Sequence, residues 1–142
     1  MKYIVAIDIG GTTFNSGIFS ESLNQIASSD KNKIRHHGNK ESVINAILSQ
    51  VNNLIIEINI NRKDIIGVGI GAPGPLDTNK GKILKTPNLT IFQDYKIAAD
   101  FTEKLQLDTF VENDANLFAL GEWHSQYREN NVIMGVTIGT GL

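Results

Sequence analysis

Cysteine is absent from the 142 residues of this sequence, which excludes disulfide bonds and thiolate metal sites within it. Neither sign of charge dominates, and a net charge of −2 gives no general attraction to nucleic acid or to an anionic membrane. Apolar runs fall short of the roughly 20 residues of a membrane span, and Asp8 interrupts the N-terminal run before it could act as a signal peptide. These absences predict a cytoplasmic protein that binds neither nucleic acid nor membrane.

The remaining composition is ordinary for a folded protein. Hydrophobic residues make up 41% of the chain and charged residues 20%, so the sequence is neither disordered nor fibrous. A chain of this length is expected to form one domain and to bury roughly two thirds of its unfolded surface. The sequence therefore carries enough apolar material for a core.

Hydrophobic periodicity predicts both strands and helices. Short runs rich in β-branched residues predict strands at 3–7, 13–19, 25–33, 65–71, 109–112 and 132–138. Helical spacing predicts a helix at 41–57, a second around Ile97, Ala98, Phe101 and Leu105, and a third from 113 or 114, with Leu117, Phe118, Leu120 and Trp123 available for packing. Asn39 and Asp94 are the expected N-caps of the first two helices.

The order of these elements is β-β-β-α-β-α-β-α-β. Strands that follow helices predict parallel crossover units, and the opening strands predict an antiparallel start. We therefore expect an α/β fold with a mixed sheet and helices on its faces.

The first candidate site is segment 8–13, Asp-Ile-Gly-Gly-Thr-Thr. Glycines allow backbone N–H groups to approach a phosphate, hydroxyls add donors, and the Asp8 carboxylate could hold Mg²⁺ directly or through water. A plain hairpin turn explains the same spacing. The segment is not a P-loop, because no lysine follows the glycines.

Glycines at 67, 69 and 71 match a loose dinucleotide-binding pattern, which we reject. That fingerprint requires a helix beginning inside it, whereas Pro73, Gly74 and Pro75 follow here. The alternating glycines instead predict a strand face that another group approaches closely. The proline-rich segment predicts a stiff loop, either a wall of a ligand pocket or a simple rigid connection.

Polar residues fill segment 112–116, Glu-Asn-Asp-Ala-Asn, where a strand gives way to a helix. Capping explains one of them but not four in five. Side chains at the carboxyl end of such a strand project into the ligand crevice, so a carboxylate here is well placed as a general base. A second glycine turn, Gly139, Thr140 and Gly141, follows the last predicted strand and would clamp a polyphosphate together with the first.

Together these segments resemble the N-terminal half of the ROK family (repressors, open reading frames, kinases), which includes bacterial sugar kinases of the actin-like ATPase superfamily. The matching stretches are 8–13, 69–77 with Gly-Ala-Pro-Gly-Pro-Leu-Asp, 86–89 with Thr-Pro-Asn-Leu, 112–116, 119–122 and 137–142. The first and last are shared by the wider superfamily, but the three middle motifs together are specific. The resemblance implies an actin-like ATPase (ribonuclease H-like) domain and ATP-dependent phosphorylation of a hexose hydroxyl, as in a glucokinase.

The resemblance also implies a role for each matching residue. Asp114 would be the base that takes the proton from the sugar hydroxyl, and Asn113 would hydrogen-bond sugar hydroxyls. Gly74, through its backbone, and Asn88 would lie in the same sugar pocket. Two loops would hold the ATP phosphates, one formed by Gly10, Gly11, Thr12 and Thr13 and the other by Gly139, Thr140 and Gly141. Asp8 would help to hold Mg²⁺.

Members of this family are considerably longer than this sequence. The resemblance therefore assigns residues 1–128 to an N-terminal actin-like lobe and 129–142 to the first strand and phosphate turn of a truncated C-terminal lobe. The adenine pocket, any zinc site and further sugar ligands would lie in the missing half. The isolated chain is expected to have little or no kinase activity and a tendency to associate, and the full-length protein to be a homodimer.

Other functions stay open beside the kinase. A sugar-sensing transcriptional regulator of the same family would carry an N-terminal helix-turn-helix, for which a first strand at residue 3 leaves no room. A non-catalytic sugar-binding protein would use the same pocket without the transfer reaction. A different actin-like ATPase is a further alternative, against which segments 73–77 and 112–116 argue.

Overall fold

The structure, a computed structural model, describes residues 1–87, 89–129 and 131–136. Its strands are β1 (Tyr3–Ile9), β2 (Thr13–Ser20), β3 (Gln25–Ser28), β4 (Asn32–Lys33), β5 (Ile65–Ala72), β6 (Leu76–Asp77), β7 (Lys82–Ile83) and β8 (Thr109–Asn113). Its helices are α1 (Lys40–Glu57), α2 (Ile97–Leu105) and α3 (Asp114–Gln126), with short 3₁₀ turns at Ile34–His36, Arg62–Asp64 and Thr90–Phe92.

The main sheet is mixed, as the element order predicts. β1 and β2 form an antiparallel hairpin, whereas β5 runs parallel to β1 and β8 runs parallel to β5. The strand order is β3-β2-β1-β5-β8, and β4 also pairs with the start of β2. β6 and β7 form a separate antiparallel ribbon. The three parallel strands therefore present their carboxyl ends at one edge of the sheet.

One face of the sheet carries the hydrophobic core. Val5, Ile7 and Ile9 alternate along β1 and are almost fully buried, in one cluster with the apolar side chains of α1 and α2. Burying each such side chain contributes about 1.5–3 kcal/mol. This core fixes β1, and with it the position of the acidic residue near its carboxyl end.

The second face of the sheet is only partly covered. Side chains of opposite parity on β1 point toward this face, where α3 lies beside Ala6 and Asp8. The structure describes no buried residue in α3, and Leu117, Phe118 and Leu120 are 37, 49 and 55% exposed. These side chains were expected to be available for packing, but within the described residues they line an open groove instead.

The strand predicted at 25–33 is two strands rather than one. The break falls at Ser29, whose hydroxyl oxygen accepts a hydrogen bond from the Ser16 N–H at 2.9 Å, while the Ser29 N–H donates to the Ser16 carbonyl. A side chain thus replaces one backbone partner of the ladder. The chain then leaves the sheet before β4 returns to pair with Thr13 and Phe14.

Asp94 does not cap the second helix, contrary to expectation. Its carboxylate forms an ion pair with Lys82 at 2.6 Å, and the N-cap of α2 is Lys96, which makes no side-chain cap bond. Asp94 lies two residues before the N-cap position, and its carboxylate is occupied by the ion pair with Lys82. By contrast, Asn39 caps α1 as expected, because its Oδ1 accepts from the Ser42 N–H at 2.9 Å.

The last predicted strand, 132–138, is wrong over its described part. Residues 132–136 form no strand, and the apolar side chains of Val132 and Met134 are 86 and 85% exposed. No strand within the described ranges pairs with this segment. Residues 137 and 138 lie outside the described residues.

In the part of the chain that the structure describes, no helix has the length and apolarity of a membrane span.

Candidate active site

The polar residues singled out in the sequence meet at the carboxyl edge of the parallel strands. Asp8 on β1 is in register with Gly71 on β5, and Gly71 is in register with Glu112 on β8. One residue further, Ala72 is in register with Asn113. Because ligands of open α/β sheets bind at this edge, the register gathers the predicted site residues where a ligand crevice is expected.

Asp8 and Asp114 both line a groove of about 460 Å³ on the partly covered face of the sheet. Gly69 and Gly71 of β5 line the groove without side chains that would fill it, and Leu117 and Phe118 of α3 also line it. Partial burial raises the pKa of the Asp8 carboxyl, the Lys31 ammonium offsets part of that rise, and the Asp114 carboxylate adds to it. The fold thus brings the Asp114 carboxylate close enough to act on Asp8, although the two residues are 106 positions apart in the sequence.

Asn113 and Asp114 are held by the start of α3. The Asn113 Oδ1 caps the helix by accepting from the N–H groups of Ala115 and Asn116 at 3.1 and 3.2 Å. The Asp114 Oδ1 accepts from the Ala115 N–H at 2.8 Å. Capping thus consumes the amide oxygen of Asn113 and leaves its NH₂ group without an acceptor among the described residues.

Glu112 braces the same junction from the side of β8. Its Oε1 accepts hydrogen bonds from the Asn113 N–H at 2.7 Å and from Asn116 Nδ2 at 3.1 Å. The polar residues of segment 112–116 therefore divide into those that stabilise the strand–helix junction and those that can contact a ligand. Glu112 and Asn116 fix the backbone, so that Asp114 and the NH₂ group of Asn113 remain for a ligand.

The proline-glycine loop approaches the Asn113 amide closely. A Cβ atom added to Gly74 would lie 3.2 Å from Asn113 Nδ2, so the loop backbone and the amide form one continuous surface. β5 runs unbroken from Ile65 to Ala72 through the alternating glycines, which agrees with rejecting a dinucleotide fingerprint there. The loop that follows therefore lies directly beside Asn113, the N-cap of α3.

The glycine turn closes the β1–β2 hairpin. The Gly10 N–H donates to the Thr13 carbonyl at 2.8 Å, which holds the turn tight. The N–H groups of Gly11 and Thr12 have no acceptor within the described ranges. Such N–H groups can receive phosphate oxygens. A second pocket of about 410 Å³ lies beside the turn, between Gly11, Thr12 and Thr13 and the side chains of Lys33 and Arg35.

The donor set suits a magnesium ion that is shared with phosphates. Mg²⁺ takes one or two carboxylates, several waters and phosphate oxygens rather than a full protein cage. Asp8 and Asp114 supply two neighbouring carboxylates, and the described residues contain no group of three or more metal-ligating side chains. Asp8 therefore fits the expected role, with Asp114 close by.

Four predicted site residues lie outside the described residues: Asn88, Gly139, Thr140 and Gly141. Lys33 and Arg35 line the second pocket, beside the glycine turn, although the sequence placed Lys33 only at the end of the strand predicted at 25–33 and predicted no role for Arg35. The available signal was the alternation of basic residues at 31, 33 and 35. These residues lie beside the glycine turn only because β4 pairs with β2, and the sequence alone does not predict that pairing.

The chain is similar in sequence to characterised sugar kinases and to a transcriptional repressor. The chain is 31% identical over 140 residues to a glucokinase from Thermotoga maritima, a match that covers 98% of this chain and 42% of the relative. It is 30% identical over 136 residues to an N-acetyl-D-glucosamine kinase from Pectobacterium carotovorum, covering 95% and 42%. A xylose repressor from Caldicellulosiruptor bescii is 25% identical over 98% of this chain and 35% of its own length. The chain thus spans about two fifths of the curated relatives it matches.

Solved structures agree with the fold. A ROK hexokinase from Thermus thermophilus superposes with a TM-score of 0.73 at 30% identity, covering 86% of this chain and 38% of that protein. A ROK family glucokinase from Streptomyces griseus, solved with glucose and AMPPNP, gives a TM-score of 0.72 at 26% identity, covering 85% and 36%. The family model described as the ROK family matches residues 4–142. With that match over nearly its whole length, this chain belongs to the ROK family.

Proposed function

We propose that the protein containing this chain is an ATP-dependent sugar kinase that phosphorylates a hydroxyl of a hexose, as a glucokinase does. The observation that carries the proposal is that Asp8, near the carboxyl end of β1, and Asp114, directly after β8, line the same groove. The named kinases among the relatives support the same reaction class.

Asp114 is proposed as the general base. Its carboxylate lies at the first residue of α3 and lines the groove, where it can accept the proton of a sugar hydroxyl as that oxygen attacks phosphorus. Phosphoryl transfer asks little covalent chemistry of a protein, so positioning and charge neutralisation provide most of the rate. A base of this kind contributes about 10²–10⁴-fold.

Asn113 and Gly74 are proposed to orient the sugar. The free NH₂ group of Asn113 can donate to a sugar oxygen, and the neighbouring backbone of Gly74 adds a surface that no side chain obstructs. We also assign Asn88 to this pocket, on the resemblance alone. A fixed donor next to the base would hold one hydroxyl within reach of the Asp114 carboxylate.

Gly10, Gly11, Thr12 and Thr13 are proposed to receive the ATP phosphates, and Gly139, Thr140 and Gly141 to form a second phosphate loop. Asp8 would hold Mg²⁺ directly or through water. The bound metal supplies neutralisation of the charge that develops on the phosphates. The free N–H groups of Gly11 and Thr12 are the feature of this chain that supports the assignment.

The whole protein, encoded by the reading frame that contains this chain, provides the test. ADP release is measured with Mg-ATP and a panel of hexoses and N-acetylated hexosamines, for the wild type and for Asp114→Asn. We expect sugar-dependent ADP release that falls about 10²–10⁴-fold in the variant, while sugar binding measured by calorimetry persists. Unchanged turnover in Asp114→Asn would remove this residue from the mechanism.

Asp108→Asn is the matched control. Asp108 is exposed and directly precedes β8, so it lies at the opposite end of that strand from Asp114. The same change of charge there should leave turnover unaltered. Equal losses in both variants would point to a general effect of charge on the fold.

A transcriptional regulator of the same family is the second candidate, favoured by the similarity to the xylose repressor. A regulator that binds sugar without transferring phosphate would bind a hexose in calorimetry and release no ADP with any member of the panel.

We further propose that activity needs residues beyond this chain, with 1–128 as one lobe and 129–142 as the start of another. A cytoplasmic homodimer completes the proposal for the whole protein.

A further inference from the structure

The segment between β3 and α1 is attached directly to the glycine turn. Lys33 on β4 is in register with Thr13 at the start of β2. In the 3₁₀ turn that follows, the Ile34 N–H donates to the Thr12 carbonyl at 2.9 Å. These main-chain contacts fix Lys33 and Arg35 beside the turn even though their side chains are exposed.

The two side chains carry positive charges that no acidic residue pairs with in the described ranges. Within the described part of the chain, neither Lys33 nor Arg35 forms an ion pair or a side-chain hydrogen bond. They line the pocket of about 410 Å³ together with Gly11, Thr12 and Thr13. Lys31, two residues earlier, is close enough to Asp8 to affect that carboxyl group.

The glycine turn itself supplies no cation. A P-loop carries a lysine within its own motif, whereas the residues after Gly11 are threonines. A bound triphosphate bears several negative charges that must be neutralised during transfer. Arginine matches phosphate geometry with paired donors, and lysine binds phosphate as a compact charge.

We propose that Lys33 and Arg35 are phosphate-binding residues of the nucleotide site and contact the polyphosphate from the side opposite the glycine turn. This inference rests on the proposed kinase function. β4 and the 3₁₀ turn thereby provide the basic residues that other nucleotide-binding loops carry in the loop itself. The site is selective for the triphosphate chain and not for the base.

The test measures binding by titration calorimetry on the whole protein, with Lys33→Gln, Arg35→Gln and the exposed control Lys63→Gln. Lys63 precedes β5 at the opposite end of the sheet from the site. The probes are Mg-AMPPNP, ADP, adenosine and inorganic phosphate. We expect the dissociation constant of Mg-AMPPNP to rise about 3- to 20-fold in each site variant, and that of adenosine to stay unchanged.

Two further readouts separate phosphate binding from a structural effect. The loss should shrink as salt rises, because screening weakens exposed charge contacts, and Arg35→Lys should recover part of the affinity. Equal Mg-AMPPNP affinities in Lys33→Gln, Arg35→Gln and the wild type overturn the proposal. So does equal weakening in Lys63→Gln, or affinity for adenosine that falls in parallel.

Kinetics distinguish failure of this inference from failure of the proposed function. Sugar-dependent ADP release with an unchanged KM for ATP in both site variants overturns the inference alone. No ADP release by the wild type with any sugar, together with no binding of Mg-AMPPNP, overturns both. A raised KM for ATP with a nearly unchanged KM for sugar supports both.

Discussion

At the scale of single residues, Gly74 and Asn113 set the shape of the proposed sugar pocket. A Cβ at Gly74 would stand 3.2 Å from Asn113 Nδ2, which is closer than an ordinary van der Waals contact. The Asn113 amide cannot rotate freely away, because its oxygen caps α3. The absence of a side chain at position 74 therefore keeps the donor of Asn113 in place.

Replacing Gly74 with alanine should weaken sugar binding. The new methyl group displaces the NH₂ group of Asn113 by a few tenths of an ångström and strains a hydrogen bond worth about 0.5–1.5 kcal/mol. We expect the sugar dissociation constant of the whole protein to rise roughly 3- to 10-fold, measured by calorimetry, with ATP affinity unaffected. Gly121→Ala is the control, since a Cβ there meets no described atom within 4 Å and Gly121 does not line the groove that holds Asp8 and Asp114. Unaltered sugar affinity in Gly74→Ala would contradict the proposed contact.

Much of the candidate site follows from sequence at this scale. Asp8, Asn113 and Asp114 stand out because each lies near the carboxyl end of a strand that its own residues predict. Lys33 and Arg35 do not, because their role depends on β4 pairing with a strand 20 residues earlier in the chain. Local patterns predict strand ends, but they do not identify which exposed basic residues fold back against a turn.

At the scale of elements, the sequence predicts the N-cap of α1 correctly but not that of α2. Asn39 precedes a long run of helical apolar spacing, and its side chain satisfies the Ser42 N–H. Asp94 has the same chemical capacity but lies two residues before the N-cap position of α2 and pairs with Lys82. An ion pair between distant segments therefore overrides a local capping preference.

Asn39→Ala should destabilise the chain. The substitution leaves the Ser42 N–H without its acceptor, and loss of such a cap costs about 1 kcal/mol. The free energy of unfolding in urea provides the measurement. Asn53→Ala is the control, because Asn53 is exposed on α1 and makes no side-chain hydrogen bond within the described residues. We expect Asn53→Ala to be neutral or slightly stabilising, and a similar loss in both variants would argue against a capping role.

At the scale of the whole molecule, the two faces of the sheet differ in how well they are covered. α1 and α2 close the core face, but α3 leaves a groove of about 560 Å³ on the other, lined by Ile4, Phe19, Leu117 and Leu120. The spacing of apolar residues predicts α3 correctly but does not show which surface covers their side chains. Relatives more than twice as long have additional chain that this structure does not contain.

The 142-residue chain on its own should associate through this groove. Exposed apolar patches of this kind drive contacts between molecules, and Leu120, which is 55% exposed, is one of the α3 residues that line the groove. Light scattering over a range of concentrations should show species larger than a monomer, and Leu120→Lys should shift them toward the monomer by adding a charge that resists burial. Ile56→Lys adds the same charge on α1, where Ile56 is 75% exposed and away from the groove, so it should leave association unchanged. A monodisperse wild-type monomer, or equal dissociation by Ile56→Lys, would show that this groove does not mediate association.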